Sequence, residues 1–375
     1  MDGSSVKPKL LTVVTASYNK GDRLYESTKS ILDQTYKDFE YIVINDGSRD
    51  HTKEILDSFD DDRLRVIHQN NQGFVKTMIA VMEQVKTPYV AIHGAGDISL
   101  PERLETQIRY LESQPDVAVI SCGTYKVLGS QPDYISEVQK LAAKGNSDTG
   151  KELKYTTVEQ MIRTNIVDHG DAMVRMVAYR QAGGYRLLFR YSQDRDLWLR
   201  ILENHSVLNI GKKLYVKVIN PGSDITGNPA KAEQQSFYSL FARHLARHKC
   251  VTGKDLLKEH GNSEFDRFVN NLGIAERTEI AKNIHINIML SNFQPEAIDT
   301  ACRLIRQYAP DHFYYRSVRS LKFMQKNVPY GASIYAWYYQ QIVRRLAGWK
   351  RKVYKIPSKL GIVKPSSQMQ VRKYG

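Results

Sequence analysis

The chain has 375 residues, 42% of them hydrophobic and 25% charged, the balance of a folded protein with one large domain and room for a smaller one. Its three cysteines, Cys122, Cys250 and Cys302, are far apart and form no Cys-x-x-Cys pair, which argues against a disulfide framework or a zinc finger and fits a reducing compartment. The net charge of +14 is unevenly placed: residues 312–375 hold 14 Lys or Arg and no Asp or Glu, and removing those from the 54 basic residues leaves 40 against 40 acidic ones.

In chain order, Leu10–Thr15 is a short apolar, β-branched run and is expected as a strand; no basic leader precedes it, so it is not expected as a signal peptide. Arg23–Gln34 has helical spacing, and Tyr41–Asn45 is a second strand ending in the turn cluster Asn45-Asp46-Gly47-Ser48. Asp50–Phe59 is expected as a helix, Leu64–His68 as a strand, Val75–Val85 as a helix and Tyr89–Ile92 as the fourth strand. This β-α-β-α-β-α-β order implies a mostly parallel sheet with right-handed crossovers, which Val117–Cys122 continues. Residues 131–155 are expected as a polar surface insertion, and the Pro- and Gly-containing stretch at Asn220–Ala230 as a boundary. The expected organisation is a sheet domain over residues 1–220 followed by a mainly helical region over 230–375. No run approaches the roughly 18 apolar residues of a spanning helix, so the chain is expected to be soluble or peripheral and cytoplasmic.

Three polar loops fall at the carboxyl ends of strands. Thr15-Ala16-Ser17-Tyr18-Asn19 follows the first, Asn45-Asp46-Gly47-Ser48 the second, and His93-Gly94-Ala95-Gly96-Asp97 the fourth. That edge is where open α/β sheets bind ligands, and a carboxylate beside an aromatic ring and a glycine could hold a nucleobase and ribose. Each loop taken singly also reads as a turn with a helix cap.

Val13-Val14-Thr15-Ala16-Ser17-Tyr18-Asn19, Ser30-Ile31-Leu32-Asp33-Gln34-Thr35-Tyr36 and Phe39 to Ser48 resemble the opening of family 2 glycosyltransferases. Gly73 and Asp97-Ile98-Ser99-Leu100-Pro101-Glu102-Arg103-Leu104 continue that pattern in order and spacing. The resemblance covers about residues 10–125, continues more weakly over 155–205, and stops near 206. It implies a GT-A fold, an αβα sandwich with a mostly parallel sheet, using nucleoside-diphosphate sugars, UDP-linked ones first, as donors of an inverting transfer. It further implies that Tyr18 and Asp46 contact the base, with Ser17 and Asn19 flanking. Ser48 can be a turn cap alone, and Lys76 is either a phosphate contact or a solvated helix lysine.

Where the family usually has Asp-x-Asp-Asp this chain has Gly94-Ala95-Gly96-Asp97, so Gly96 stands at the usual manganese or magnesium ligand. Three readings stay open: Asp97 takes over as ligand and contacts the donor, basic residues replace the metal, or the protein binds nucleotide sugars without catalysis. His93 is either a ligand or a turn or core histidine. Gln193-Asp194-Arg195-Asp196-Leu197-Trp198-Leu199-Arg200 resembles the family segment whose Asp deprotonates the acceptor hydroxyl. Asp194 takes that place, the alternative being a plain helix N-cap, while Asp196 is expected as structural or surface. Asp168 and His169 match a position lining the sugar and acceptor pocket.

In the basic tail, Ser333–Lys355 interleaves aromatic and aliphatic residues with Arg344, Arg345, Lys350, Arg351, Lys352 and Lys355. That pattern suits either the headgroups of an anionic membrane or a helix packed on the catalytic domain. No nucleic-acid module is recognisable. Glycan or lipid-linked acceptors, in polysaccharide or glycoconjugate synthesis, are the expected partners.

Overall fold

The computed structural model describes residues 9–128, 134–145, 153–219, 228–290 and 295–327. Strands β1 (Leu11–Ser17), β2 (Phe39–Asp46) and β3 (Leu64–Gln69) pair in parallel, with β4 (Tyr89–Ile92) parallel to β1 on its other side. Helices α1 (Gly21–Leu32), α2 (Thr52–Asp57) and α3 (Phe74–Gln84) connect them, as the alternation of strand and helix signals requires. Side chains of a strand point alternately to its two faces, so β1 feeds two cores. Val13 packs with Leu24 and Ile31 of α1, and Val14 with Val75 and Met78 of α3. Burying each such aliphatic side chain contributes about 1.5–3 kcal/mol.

The sheet continues through β5 (Ile98–Ser99), β6 (Val117–Leu128), β7 (Lys154–Thr156), β8 (Met173–Arg175) and β9 (Ser206–Ile219). Its order is β3-β2-β1-β4-β8-β6-β9-β5, with β7 also on β9. β8 runs antiparallel between β4 and β6, while β6 and β9 are parallel. Helix α4 (Arg103–Ser113) lies on the face of α1, burying Leu104, Ile108 and Leu111. On the other face are α6 (Val158–Arg163), α7 (Met176–Gln181) and α8 (Gln193–Ile201). The result is an αβα sandwich, the layering expected from the sequence.

One expectation is revised. Part of the stretch expected as a polar insertion forms α5 (Tyr134–Gly145), whose Val138, Leu141 and Ala142 follow helical spacing and pack on Ile98, Val127 and Val216. Helix α4 begins at Arg103, just after Leu100, whose N–H donates to Leu214 O of β9.

The later chain is helical among the described residues: α9 (Pro229–Thr252), α10 (Leu256–His260), α11 (Ser263–Asn270), α12 (Ile274–Leu290), α13 (Pro295–Tyr308) and α14 (Phe313–Asn327). One compact unit runs to Val318 and so includes the sheet together with α9–α13; a second begins at Arg319. Phe241 and Leu245 of α9 join the core under α8. Most of 220–230 and the tail stretch Ser333–Lys355 lie outside the described residues. No described helix is long and apolar enough to cross a membrane.

Candidate active site

At the carboxyl ends of β1 and β2 a cavity of about 440 Å³ is lined by Ser17, Tyr18, Lys20, Asp46, Gly73 and Phe74, with Ala95 at its edge. Tyr18 is 46% exposed and offers its ring to this space. Ser17 Oγ is buried behind this wall and has no hydrogen-bond partner among the described residues. Asp46 is buried: Oδ1 accepts from Gln69 Nε2 at 2.7 Å and Gln72 N–H at 2.9 Å, and Oδ2 from Gly73 N–H at 2.9 Å. The carboxylate thus fixes the loop that forms the far wall.

Asn19, at φ 51, is not one of those walls. Its Oδ1 accepts from Arg49 N–H at 2.9 Å and its N–H donates to Ser48 Oγ at 2.9 Å, so Asn19 and Ser48 lock two edge loops together. Lys76 is exposed on α3 and does not line the cavity.

A second cavity, of about 420 Å³, holds Asn165, Asp168, His169, Asp194 and Lys217 on its sheet-domain side. Gln235, Ser236 and Ser239 of α9 and Asn283 and Asn287 of α12 form its helical side. Asp194 sits in the first turn of α8, but Ser192 holds the cap position, so the plain N-cap reading does not describe it. Its Oδ2 accepts from Asn165 Nδ2 at 2.9 Å.

His169 Nε2 meets Tyr185 OH at 2.7 Å. Burial lowers the His169 pKa, with Lys217 adding to the effect and Asp194 and Asp168 opposing it. Its ring meets Phe74 edge-on at 5.6 Å and 74°. Phe74 lines the first cavity and His169 the second, so this contact lies between the two neighbouring cavities.

Lys217 projects from β9 with Nζ 3.6 Å from Asp168 Oδ1. Burial works to lower its pKa, but Asp168, Asp97 and Asp194 around it outweigh burial and raise it. Asp168 and Lys217 are each about 40% exposed on their side chains, at 42% and 40%, so the pair is open to exchange partners.

The loop after β4 is knotted inward. Tyr215 OH donates to Asp97 Oδ2 at 2.8 Å and accepts from Gly94 N–H at 3.0 Å, while Val218 N–H donates to Asp97 Oδ1 at 2.9 Å. Burial pushes the Asp97 carboxyl up to about 6, partly opposed by Tyr215, Val218, Lys217 and Lys20. Neither cavity counts Asp97 among its walls. His93 is a core residue, 1% exposed, between Ser27 Oγ at 3.0 Å and Ser99 Oγ at 3.1 Å. Burial and the nearby Arg103 push it down to about 3, so its imidazole is neutral. Asp196 is structural and buried, paired with Arg200 at 2.7 Å.

A divalent cation would need oxygen ligands from this loop. Gly94 and Gly96 supply no side chain, both Asp97 oxygens are bonded inward, and the described residues hold no group of three or more His, Cys, Asp or Glu placed for a metal. The residues present do not fit a divalent site. Asn165, Lys217 and the amides of α9 and α12 escape a reading of sequence, since only the fold brings residues 165, 217 and 283 to Asp194.

Residues 12–176 match the family model described as glycosyl transferase family 2. An uncharacterized glycosyltransferase of Methanocaldococcus jannaschii is 28% identical over 246 residues, 64% of this chain and 80% of that protein. An uncharacterized glycosyltransferase of Rickettsia felis is 23% identical over 300 residues, 78% of this chain and 46% of that protein, so the chain spans about half of that relative. The solved structure of mannosyltransferase PcManGT from Pyrobaculum calidifontis, in complex with GDP-Man and Mn2+, is 15% identical with a TM-score of 0.48, covering 87% of this chain and 86% of that one.

Proposed function

We propose that this chain, whose residues 12–176 match the glycosyl transferase family 2 model, belongs to that family and moves a sugar from a nucleoside-diphosphate sugar, UDP-linked first among the candidates, to a saccharide hydroxyl with inversion. The observation that carries this reading is the pair of neighbouring cavities, one with a carboxylate-braced wall beside an exposed tyrosine, the other holding Asp194.

The nucleoside occupies the first cavity, with Tyr18 and Ser17 at the base and ribose and Asp46 bracing the loop against them. The sugar lies toward Asp168 and His169. In the second cavity Asp194 accepts the proton of the acceptor hydroxyl as its oxygen forms the bond to the anomeric carbon. The electron pair of the broken bond leaves on the diphosphate. Asn165 holds the carboxylate in register, and such positioning is itself a large part of the rate.

A glycan acceptor is supported by the polar character of the helical wall. Ser236, Ser239, Asn283 and Asn287 line it with hydroxyls and amides that already bond to one another, to Ala232 O and to Arg195, and this polar surface suits the hydroxyls of a glycan, free or lipid-linked. Attachment of the basic tail to an anionic membrane, which would place the protein at the inner face where lipid-linked acceptors lie, belongs to the same proposal and rests on sequence alone.

The test is a panel of UDP- and GDP-sugars assayed for binding, hydrolysis and transfer to saccharide acceptors. At least one donor is expected to bind and turn over. A donor that binds without turnover would favour a nucleotide-sugar-binding protein of the same fold, and no binding at all would overturn the reading.

A further inference from the structure

The loop Gly94-Ala95-Gly96 does more than omit carboxylates: a side chain at Gly94 would collide with its neighbours, and one at Gly96 would have space but an unfavourable backbone conformation. Gly96 has φ +88, a conformation that residues with a Cβ rarely adopt. A Cβ on Gly94 would lie 2.5 Å from Asp97 Oδ2 and 2.9 Å from Tyr215 OH. A Cβ on Gly96 would point at Arg23, with the guanidinium carbon 3.8 Å away. Arg23 is buried and donates from Nη1 to Val218 O at 3.1 Å, so that side of the loop already faces a fixed positive charge.

Two further cations flank the same loop. Lys20 lines the nucleotide cavity beside Ala95. Lys217, next in chain to the Val218 that Asp97 and Arg23 both bind, lines the cavity of Asp194. Both lysines lie near enough to Asp97 to act on its charge.

We propose that Lys20 and Lys217 together neutralise the donor's diphosphate, so that this protein holds its nucleotide without a divalent cation. The inference rests on the donor class proposed above. Lys217 exchanges its half-exposed partner Asp168 for phosphate oxygen when the donor binds. Its ammonium then faces the negative charge that grows on the diphosphate as the anomeric bond breaks. The transfer itself is unchanged: the acceptor oxygen bonds the anomeric carbon, its proton goes to Asp194, and the electron pair departs with the diphosphate.

The experiment is calorimetric titration of the full chain with UDP, GDP, uridine and guanosine, in excess EDTA and then in manganese. The diphosphate that binds is expected to do so with a Kd equal within about twofold in the two conditions. Lys217→Gln and Lys20→Gln are each expected to weaken that diphosphate about tenfold, the scale of losing one bond to a charged group, while leaving the matching nucleoside within about twofold. Retained nucleoside binding also shows that the variants fold. Diphosphate binding that EDTA weakens by about tenfold or more would overturn the inference alone. Lysine variants that leave diphosphate binding intact, or that weaken nucleoside equally, would overturn it too. Failure of every nucleotide to bind in both conditions would overturn the donor reading along with it.

Discussion

Replacing Tyr215 by Phe removes one hydroxyl that closes the loop after β4. Tyr215 is 1% exposed; its OH donates to Asp97 Oδ2 at 2.8 Å and accepts from Gly94 N–H at 3.0 Å. The ring remains under the Arg103 guanidinium, whose carbon lies 5.1 Å from the ring centre, so packing is kept and only polar terms change. Losing a bond to a charged group costs about 1.5–3 kcal/mol and orphaning a buried N–H about 1–3 kcal/mol; the two overlap, and about 2–4 kcal/mol is expected. Asp97 makes the loss depend on pH. Its folded carboxyl titrates at about 6, above the ordinary 3.8, so the native state holds a proton that the unfolded state has released, and stability falls as pH rises through that window. Without Tyr215 the carboxyl moves higher still and the fall continues further. In urea unfolding, the deficit of Tyr215→Phe is therefore expected to be larger near pH 7.5 than near pH 5. A deficit below about 0.5 kcal/mol, or one equal at both pH values, would refute the reasoning.

Asn165→Ala should lower kcat by about tenfold or more with KM little changed, because it frees Asp194 without touching the donor; an equal rise in KM would show that the amide holds substrate instead. Asp171 is fully buried, its Oδ1 has no partner among the described residues, and burial, with Asp168 adding to it, pushes the carboxyl up to about 8. Its contribution to stability falls as pH rises from about 4 to about 8, by at most about 1.4 kcal/mol per pH unit. Asp171→Asn should thus gain on the parent across that range in denaturant titrations, and a difference that stays flat would contradict the burial argument.

The first four strands and three helices are legible because period-2 and period-3.6 patterns alternate there between clear turn residues. Asp46 stands out at the end of a strand, whereas Asp194 stands out only through the resemblance of its segment to the family, since local pattern alone reads it as a helix start. What escapes is whatever only long-range packing decides. Gly96 reads as a missing ligand, yet nothing in the sequence shows the backbone at φ +88 or Arg23 beside it. Asp97 reads as a carboxylate free to act, and only the pairing of β5 with β9 brings Tyr215 and Val218 onto its two oxygens. Lys217 lies in an ordinary alternating strand, and its meeting with Asp168 spans 49 positions of chain.

Transfer through Asp194 stands or falls with Asp194→Asn. The substitution keeps the shape of the side chain and its place beside Asn165 but cannot take a proton from the acceptor. At saturating donor, turnover should fall by about 10²–10⁴-fold while the donor Kd stays within about twofold. Turnover within about threefold of the parent would contradict the role of Asp194 as the base.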